Sequence, residues 1–176
     1  FIGYRAGYSN TEGLNNVFNG FEAGQSNTFG NSNVFVGHKA GVANTVGFDN
    51  TFIGRDAGFE NTNGSQNTFL GEGAGLLNSS GSQNTFLGNA TGLNNTTGSH
   101  NIFLGFRAGA NETGSNKLYI ESSDIVTPLI YGEFDNDIVK INGTLGIKNA
   151  YSFPIVDGTA GQVIQTDGAE DLKSVE

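Results

Sequence analysis

The chain of 176 residues has no cysteine, no methionine and no tryptophan, and only two prolines. Without cysteine there is neither a disulfide framework nor a thiolate metal site, so stability has to come from backbone ladders, packing or association. Basic residues are scarce, eight Lys plus Arg against 17 Asp plus Glu, for a formal net charge of −9. The electrostatic footprint of a phosphate-backbone binder is therefore missing, and nucleic acid is not an expected partner. No apolar run approaches the roughly 18 residues of a membrane span, so none is expected. The hydrophobic fraction is low at 36%, yet 28 glycines and an 11% aromatic share, mostly Phe, are not the composition of a disordered segment.

What the chain has in abundance is self-similarity. Phe1, Phe18, Phe35, Phe52, Phe69, Phe86 and Phe103 recur at a constant 17-residue interval. Each is followed two positions on by glycine (Gly3, Gly20, Gly37, Gly54, Gly71, Gly88, Gly105), and the first half of the unit reads F-[aliphatic]-G-x-x-A-G. The second half is polar. It carries one column of asparagine (Asn10, Asn27, Asn44, Asn61, Asn78, Asn95), a glycine (Gly13 through Gly98) and a second asparagine column (Asn16, Asn33, Asn50, Asn67, Asn84, Asn101). These are turn residues able to take positive φ cheaply. A chain that opens mid-repeat at Phe1 is expected to be part of something longer.

Several glycines per unit rule out a helical repeat, because each costs about 1 kcal/mol in a helix interior. The unit is expected to be one coil of an all-β solenoid or β-roll, with equivalent residues stacked about 4.8 Å apart. Every Phe then lies on the next Phe, and aligned Asn side chains pass amide hydrogen bonds from coil to coil. Phe69, with Gly54, Gly71, Gly88, Asn61, Asn67, Asn78 and Asn84, belongs to this structural repeat rather than to a ligand site. In "FIG", "FVG" and "FLG" the Phe and the aliphatic residue after it must point to opposite faces of a strand. Both faces are apolar, and an outer apolar column calls for cover by further copies of the chain. The charged residues after the glycine (Arg5, Glu22, Lys39, Asp56, Arg107) mark a bend toward solvent.

The last unit, "FLGFRAGANETGSNK", is two residues short if Leu118 takes the place of the returning Phe, a change suited to a terminal coil. The division expected is residues 1–117 as the repeat array, 118–157 as a small β-rich cap with short strands and hairpins, and 158–176 as a connector.

With the FxGxxAG coils, "TGSNKLYIESS…PLIYGEF…VKINGTLGI" and "YSFPIVDGTAGQVIQTDG" in order, the chain resembles tail-fibre-like proteins of bacteriophages and of bacteria of the Bacteroidetes type. In that family such segments commonly precede a C-terminal intramolecular chaperone. The first 117 residues are also similar to the head repeats of trimeric autotransporter adhesins, whose coils form a parallel β-roll in a three-chain bundle. The resemblance implies an intertwined homotrimer, an extracellular setting on a virion or cell surface, end-to-end assembly into a longer fibre, and a cell-surface glycan or receptor as target.

Chemistry that would break the repeat is weak. His38 and His100 occupy different places in their coils and cannot form one aligned site. Asp56, Glu60 and Glu72 could supply a carboxylate pair for glycoside cleavage, but they stand at variable, solvent-facing positions. The run Asp135 to Asp137 fails the Asp-x-Asp-x-Asp-Gly calcium spacing at Val139, which leaves a hairpin turn. Asn-x-Ser/Thr triplets such as Asn78-Ser79-Ser80 follow from the turn grammar of the repeat. No catalytic, cofactor or metal site is expected. The reading is a structural and adhesive fibre segment. A carbohydrate-active fibre is the alternative, and an ice-binding solenoid, suggested by the column Thr11, Thr28, Thr45, Thr62, Ser79, Thr96, comes third.

Overall fold

A computed structural model describes residues 1–147 together with short strands at 151–152, 163–166 and 172–175. It is all-β. Six parallel strands of three residues each, β1 (Val17–Asn19), β2 (Val34–Val36), β3 (Thr51–Ile53), β4 (Thr68–Leu70), β5 (Thr85–Leu87) and β6 (Ile102–Leu104), repeat once per coil. They are joined by β7 (Lys117–Ile120), β8 (Ile130–Glu133) and β9 (Ile138–Ile141) in one nine-stranded sheet whose order follows the chain. The register is that of the repeat, with Phe18, Phe35, Phe52, Phe69, Phe86 and Phe103 side by side.

The core is one residue wide. All six of these rings are fully buried and stack on their neighbours, with centroids 4.8 Å apart from Phe35 to Phe103 and planes within 8° of parallel. That spacing is the strand spacing, so the sheet ladder and the aromatic column impose the same geometry on each other. Phe1, the first ring of the column, is exposed on its outer side and stacks on Phe18 at 4.7 Å. Ala23, Ala40, Ala57, Ala74 and Ala108, with Thr91 in the same place in the coil of Phe86, fill the rest of the core.

From Asn27 and Asn33 onward the two asparagine columns are buried, and they do different work. In the first, Asn27 Nδ2 donates to Asn10 Oδ1 at 2.6 Å, Asn44 to Asn27 at 2.7 Å and Asn61 to Asn44 at 2.9 Å, a ladder of side-chain amides along the axis. In the second, the amide oxygen accepts the backbone N–H of its counterpart one coil on, as Asn50 Oδ1 does from Asn67 N at 3.0 Å. Its Nδ2 donates to a glycine carbonyl of the next coil, as Asn50 does to Gly64 O at 2.8 Å. That same carbonyl accepts from Asn61 Nδ2 at 3.0 Å, so one glycine oxygen joins both columns. Turn backbone that a three-residue strand cannot satisfy is thus satisfied by side chains. At Asn78 the first ladder reverses, its Nδ2 donating forward to Asn95 O at 3.2 Å.

Positive φ falls elsewhere than on these columns. It occurs at the charged corner (Arg5, Glu22, Lys39, Asp56, Arg107, φ 51–56°) and at the residue before the second asparagine (Asn15, Ser32, Asp49, Gln66, Gln83, His100, φ 55–61°). The asparagines keep ordinary backbone because their side chains reach inward to other coils, which a local turn bond would prevent. The glycine of the polar half, Gly64 for example, is fixed by space: a Cβ there would overlap Asn61 and the carbonyl of Gly81. Gly54, Gly71 and Gly88 are needed twice over, since φ is 137–139° and a Cβ would strike the carbonyl oxygen of the next coil.

The last unit is one residue short, not two. β6 pairs with β7 so that Phe103 faces Tyr119 and Ile102 faces Leu118, and Tyr119 therefore takes the Phe column while Leu118 lies on the outer face. The residue lost lies between Thr113 and Gly114, where the earlier units read T-x-G. Beyond β7 the sheet turns antiparallel, Tyr119 opposite Tyr131 on β8. Asp135 to Asp137 lie in the turn between β8 and β9, with Asp137 at φ 53°.

Two compact units emerge, Phe1–Val139 and Lys140–Glu176. In the second, β10 (Gly146–Ile147) pairs antiparallel with β11 (Tyr151–Ser152), and β12 (Val163–Thr166) with β13 (Leu172–Val175). The rest of the segment expected to form the connector, and Pro154 before it, lie outside the described residues.

Candidate interaction surface

Because side chains alternate along a strand, burying Phe in the middle of three residues forces both neighbours outward. β1 to β7 therefore present two parallel columns to solvent. One is Val17, Val34, Thr51, Thr68, Thr85, Ile102 and Leu118; the other is Asn19, Val36, Ile53, Leu70, Leu87, Leu104 and Ile120. Val17 is 53% exposed, Leu70 41% and Ile102 41%, values far from those of a core. The expected double-faced strand is present; on its outer face the column after Phe is aliphatic but for Asn19, and the column before Phe carries threonine at positions 51, 68 and 85 between aliphatic ends.

Next to the second column runs a corner that changes character along the axis. Tyr4, Phe21 and His38 stack on one another at 5.2 Å, after which Arg55 and Glu72 continue the column as an ion pair. Arg55 Nη1 also lies 3.6 Å from Asp56 Oδ2, and Lys39 Nζ lies 3.8 Å from Glu22 Oε2. Phe21 is stacked on both faces, by Tyr4 and by His38, so chiefly its edge meets solvent. This corner was not foreseen from the sequence, though reading one column at the 17-residue interval exposes it.

The polar turn changes too. Leu14, Phe29, Val46 and Phe48 are exposed in the first three coils, whereas the place of Leu14 and Phe48 is taken in later coils by Ser65, Ser82 and Ser99. Those serines tie coil to coil: Ser65 N donates to Ser82 Oγ and Ser82 N to Ser99 Oγ, both at 3.0 Å. The threonine column is likewise engaged. Thr28, Thr45 and Thr62 hydroxyls each donate to a carbonyl of the next coil at 3.0 Å, so their hydrogens are committed to the ladder.

The candidate chemical residues stay apart. His38 stacks on Phe21 and reaches Asp56 Oδ1 at 3.7 Å, while His100 stands at the positive-φ corner with its N–H on Ser82 O. Asp56 and Glu72 are drawn to Arg55, and Glu60 is exposed. No group of three or more His, Asp or Glu that could hold a metal occurs among the described residues. No helix among them is long and apolar enough to cross a membrane.

At the C-terminal end of the array, three substitutions close the ladders. Glu112 stands where the first asparagine column would continue; it accepts Gly114 N–H at 2.7 Å and the Tyr119 hydroxyl at 2.8 Å. Burial first, and then that hydrogen bond, push the Tyr119 hydroxyl above the usual phenol value. Lys117 replaces the second asparagine, and its N–H still donates to Asn101 Oδ1 at 2.8 Å. The Tyr119 ring meets Phe103 and Tyr131 edge-on instead of stacking. Glu121 holds the β7–β8 connection by accepting from Ser122 N and Leu129 N. Hydrogen bonds from Tyr131 and then Asn136 hold Glu133 below the usual carboxylate range. No protein-family model matches the chain, and no curated protein and no solved structure matches it.

Proposed function

We propose that the chain is a structural and adhesive segment of an extracellular trimeric fibre, a stiff spacer that presents its surface to a cell or glycan. What supports the reading most is the outward apolar strip of β1 to β7, which runs along the whole solenoid beside a core already closed. A solenoid that keeps at least one aliphatic side chain of its outer strand face in contact with water at every coil carries a surface suited to burial against something equally long. The charged groups are spread along one edge as ion pairs, and no acidic constellation interrupts the repeat in the described residues. The resemblance to tail-fibre-like proteins, carried by the FxGxxAG coils and the residues after them, favours three chains and end-to-end continuation.

The test is the mass of the particle. Light scattering of the purified chain should give three times the mass of 18.4 kDa. A stable monomer with a protected aromatic core would remove both the trimer and the adhesive fibre built on it.

A further inference from the structure

A solenoid of identical coils has a problem of register. Two copies packed side by side through the column that follows Phe can slide by one coil, about 4.8 Å, and meet the same kind of surface again. The column after Phe has eight rungs from Ile2 to Ile120, so such a slip forfeits only one of them. Apolar packing by itself therefore holds the register weakly.

One rung is different. Ile2, Val36, Ile53, Leu70, Leu87, Leu104 and Ile120 are aliphatic, and Asn19 alone interrupts them. It is exposed on the outer face of β1, beside the 53% exposed Val17, and its side-chain amide has no partner among the described residues. Every coil needs the asparagines of the two inner columns to satisfy its own turns, but nothing among the described residues needs the amide of Asn19.

Resting on the fibre reading above, we infer that Asn19 is the register mark of a seam between copies of this chain, formed by the outer face of β1 to β7. The occupant of the strip is a second copy in parallel, because another copy offers aliphatic rungs at the same pitch over the same length. The area speaks for more than a pair. The strip is about 34 Å long and about 10 Å wide. Two copies would cover about 340 Å² on each, well under the roughly 800 Å² per partner of a stable interface. Three chains around one axis engage the flanks of each strip as well. In register, the three Asn19 amides meet and donate to one another. Slipped by one coil, each amide is buried against Ile2 or Val36 without a partner, and such a group is expensive to bury. A lone polar residue in an apolar coiled-coil seam acts in this way.

The absence of cysteine makes the test clean. Two singly substituted chains, Leu70→Cys and Leu87→Cys, carry different tags, are assembled together and are oxidised. With Asn19 present, disulfides should join like positions, 70 to 70 and 87 to 87. With Asn19→Val added to both chains, the share of mixed 70-to-87 disulfides should rise by about tenfold, the scale of one buried unpaired polar group. Asn19→Gln should fall between the two, and circular dichroism should be the same in all because position 19 is on the surface. If the oligomer forms and crosslinks at position 70 but Asn19→Val leaves the mixed share unchanged, Asn19 is not the mark. If the particle is trimeric yet Leu70→Cys does not crosslink while Glu60→Cys does, the seam lies on another face although the fibre reading stands. A monomer overturns both.

Discussion

The six coils that end at β6 and the single turn that leads into β7 use the same positions with different residues, and the contrast shows how a solenoid is extended and how it is stopped. In the coils, each asparagine of the second column accepts a backbone N–H from the next coil and donates to a glycine carbonyl of that coil, so each rung leaves the same need for the next coil to fill. In the last turn Lys117 stands at that position; its N–H still meets Asn101 Oδ1, but its ammonium accepts nothing and turns to Glu133, so nothing is passed on. Phe offers two faces, each covered by another ring, whereas Tyr119 lies edge-on between Phe103 and Tyr131 and ties its hydroxyl to Glu112. Repetition works by bonds that demand a copy; termination works by bonds that do not.

The strongest way to break this comparison is to disturb the period. Removing residues 69–85 deletes one whole coil, brings Phe86 onto Phe52, and should leave a cooperative fold shorter by about 4.8 Å. Removing only residues 69–77 places the polar turn where a strand with two apolar faces is needed. It should abolish the cooperative melt, as seen by circular dichroism. Equal melting temperatures for the two deletions would mean that the 17-residue coil is not the unit.

Next come the internal positions of one coil. Phe69→Ala opens the middle of a fully buried column and should cost about 3 to 5 kcal/mol per chain in chemical denaturation. Gly71→Ala puts a Cβ against the carbonyl of Gly88 at φ 139°, and should cost about 1 to 3 kcal/mol or more although it adds a single methyl. If Gly71→Ala were neutral, coils would not approach as closely as the ladder requires.

The termination chemistry should be cheaper to damage. Tyr119→Phe keeps the ring and removes its bond to Glu112, for an expected loss of about 1 to 2 kcal/mol near neutral pH. Since the folded hydroxyl titrates above its unfolded value, the stabilisation is whole below about pH 10 and declines as pH rises from there toward the raised folded value. The gap between the parent chain and Tyr119→Phe should therefore close in alkaline denaturation curves, and a gap that widened would contradict the bond. Smallest of all, Glu72→Ala removes a solvent-exposed ion pair with Arg55 and should change stability by under about 0.5 kcal/mol.

How much of this can be read in the sequence depends on the kind of residue. Phe, Gly and Asn recur at fixed distances, so their stacking could be inferred without coordinates. Tyr119 could not be placed in the same way. Counting residues suggested that Leu118 replaced Phe, because both are apolar and the shortened unit gave no anchor; pairing β7 against β6 put Tyr119 in the column. The backbone of the asparagines was also misread. Asn favours left-handed turns when its side chain bonds locally, but here the amide is taken up by another coil.

The sequence by itself determined the period, the all-β coil, the inner Phe and Asn columns and the second apolar face, since each follows from spacing and from the alternation of side chains in a strand. Only the tertiary structure decided which glycines are fixed by backbone angle and which by space, which residue closes the aromatic column, and which threonine and serine hydroxyls are spent between coils. Those depend on the distance between one coil and the next, a quantity of a few ångströms that no linear pattern contains.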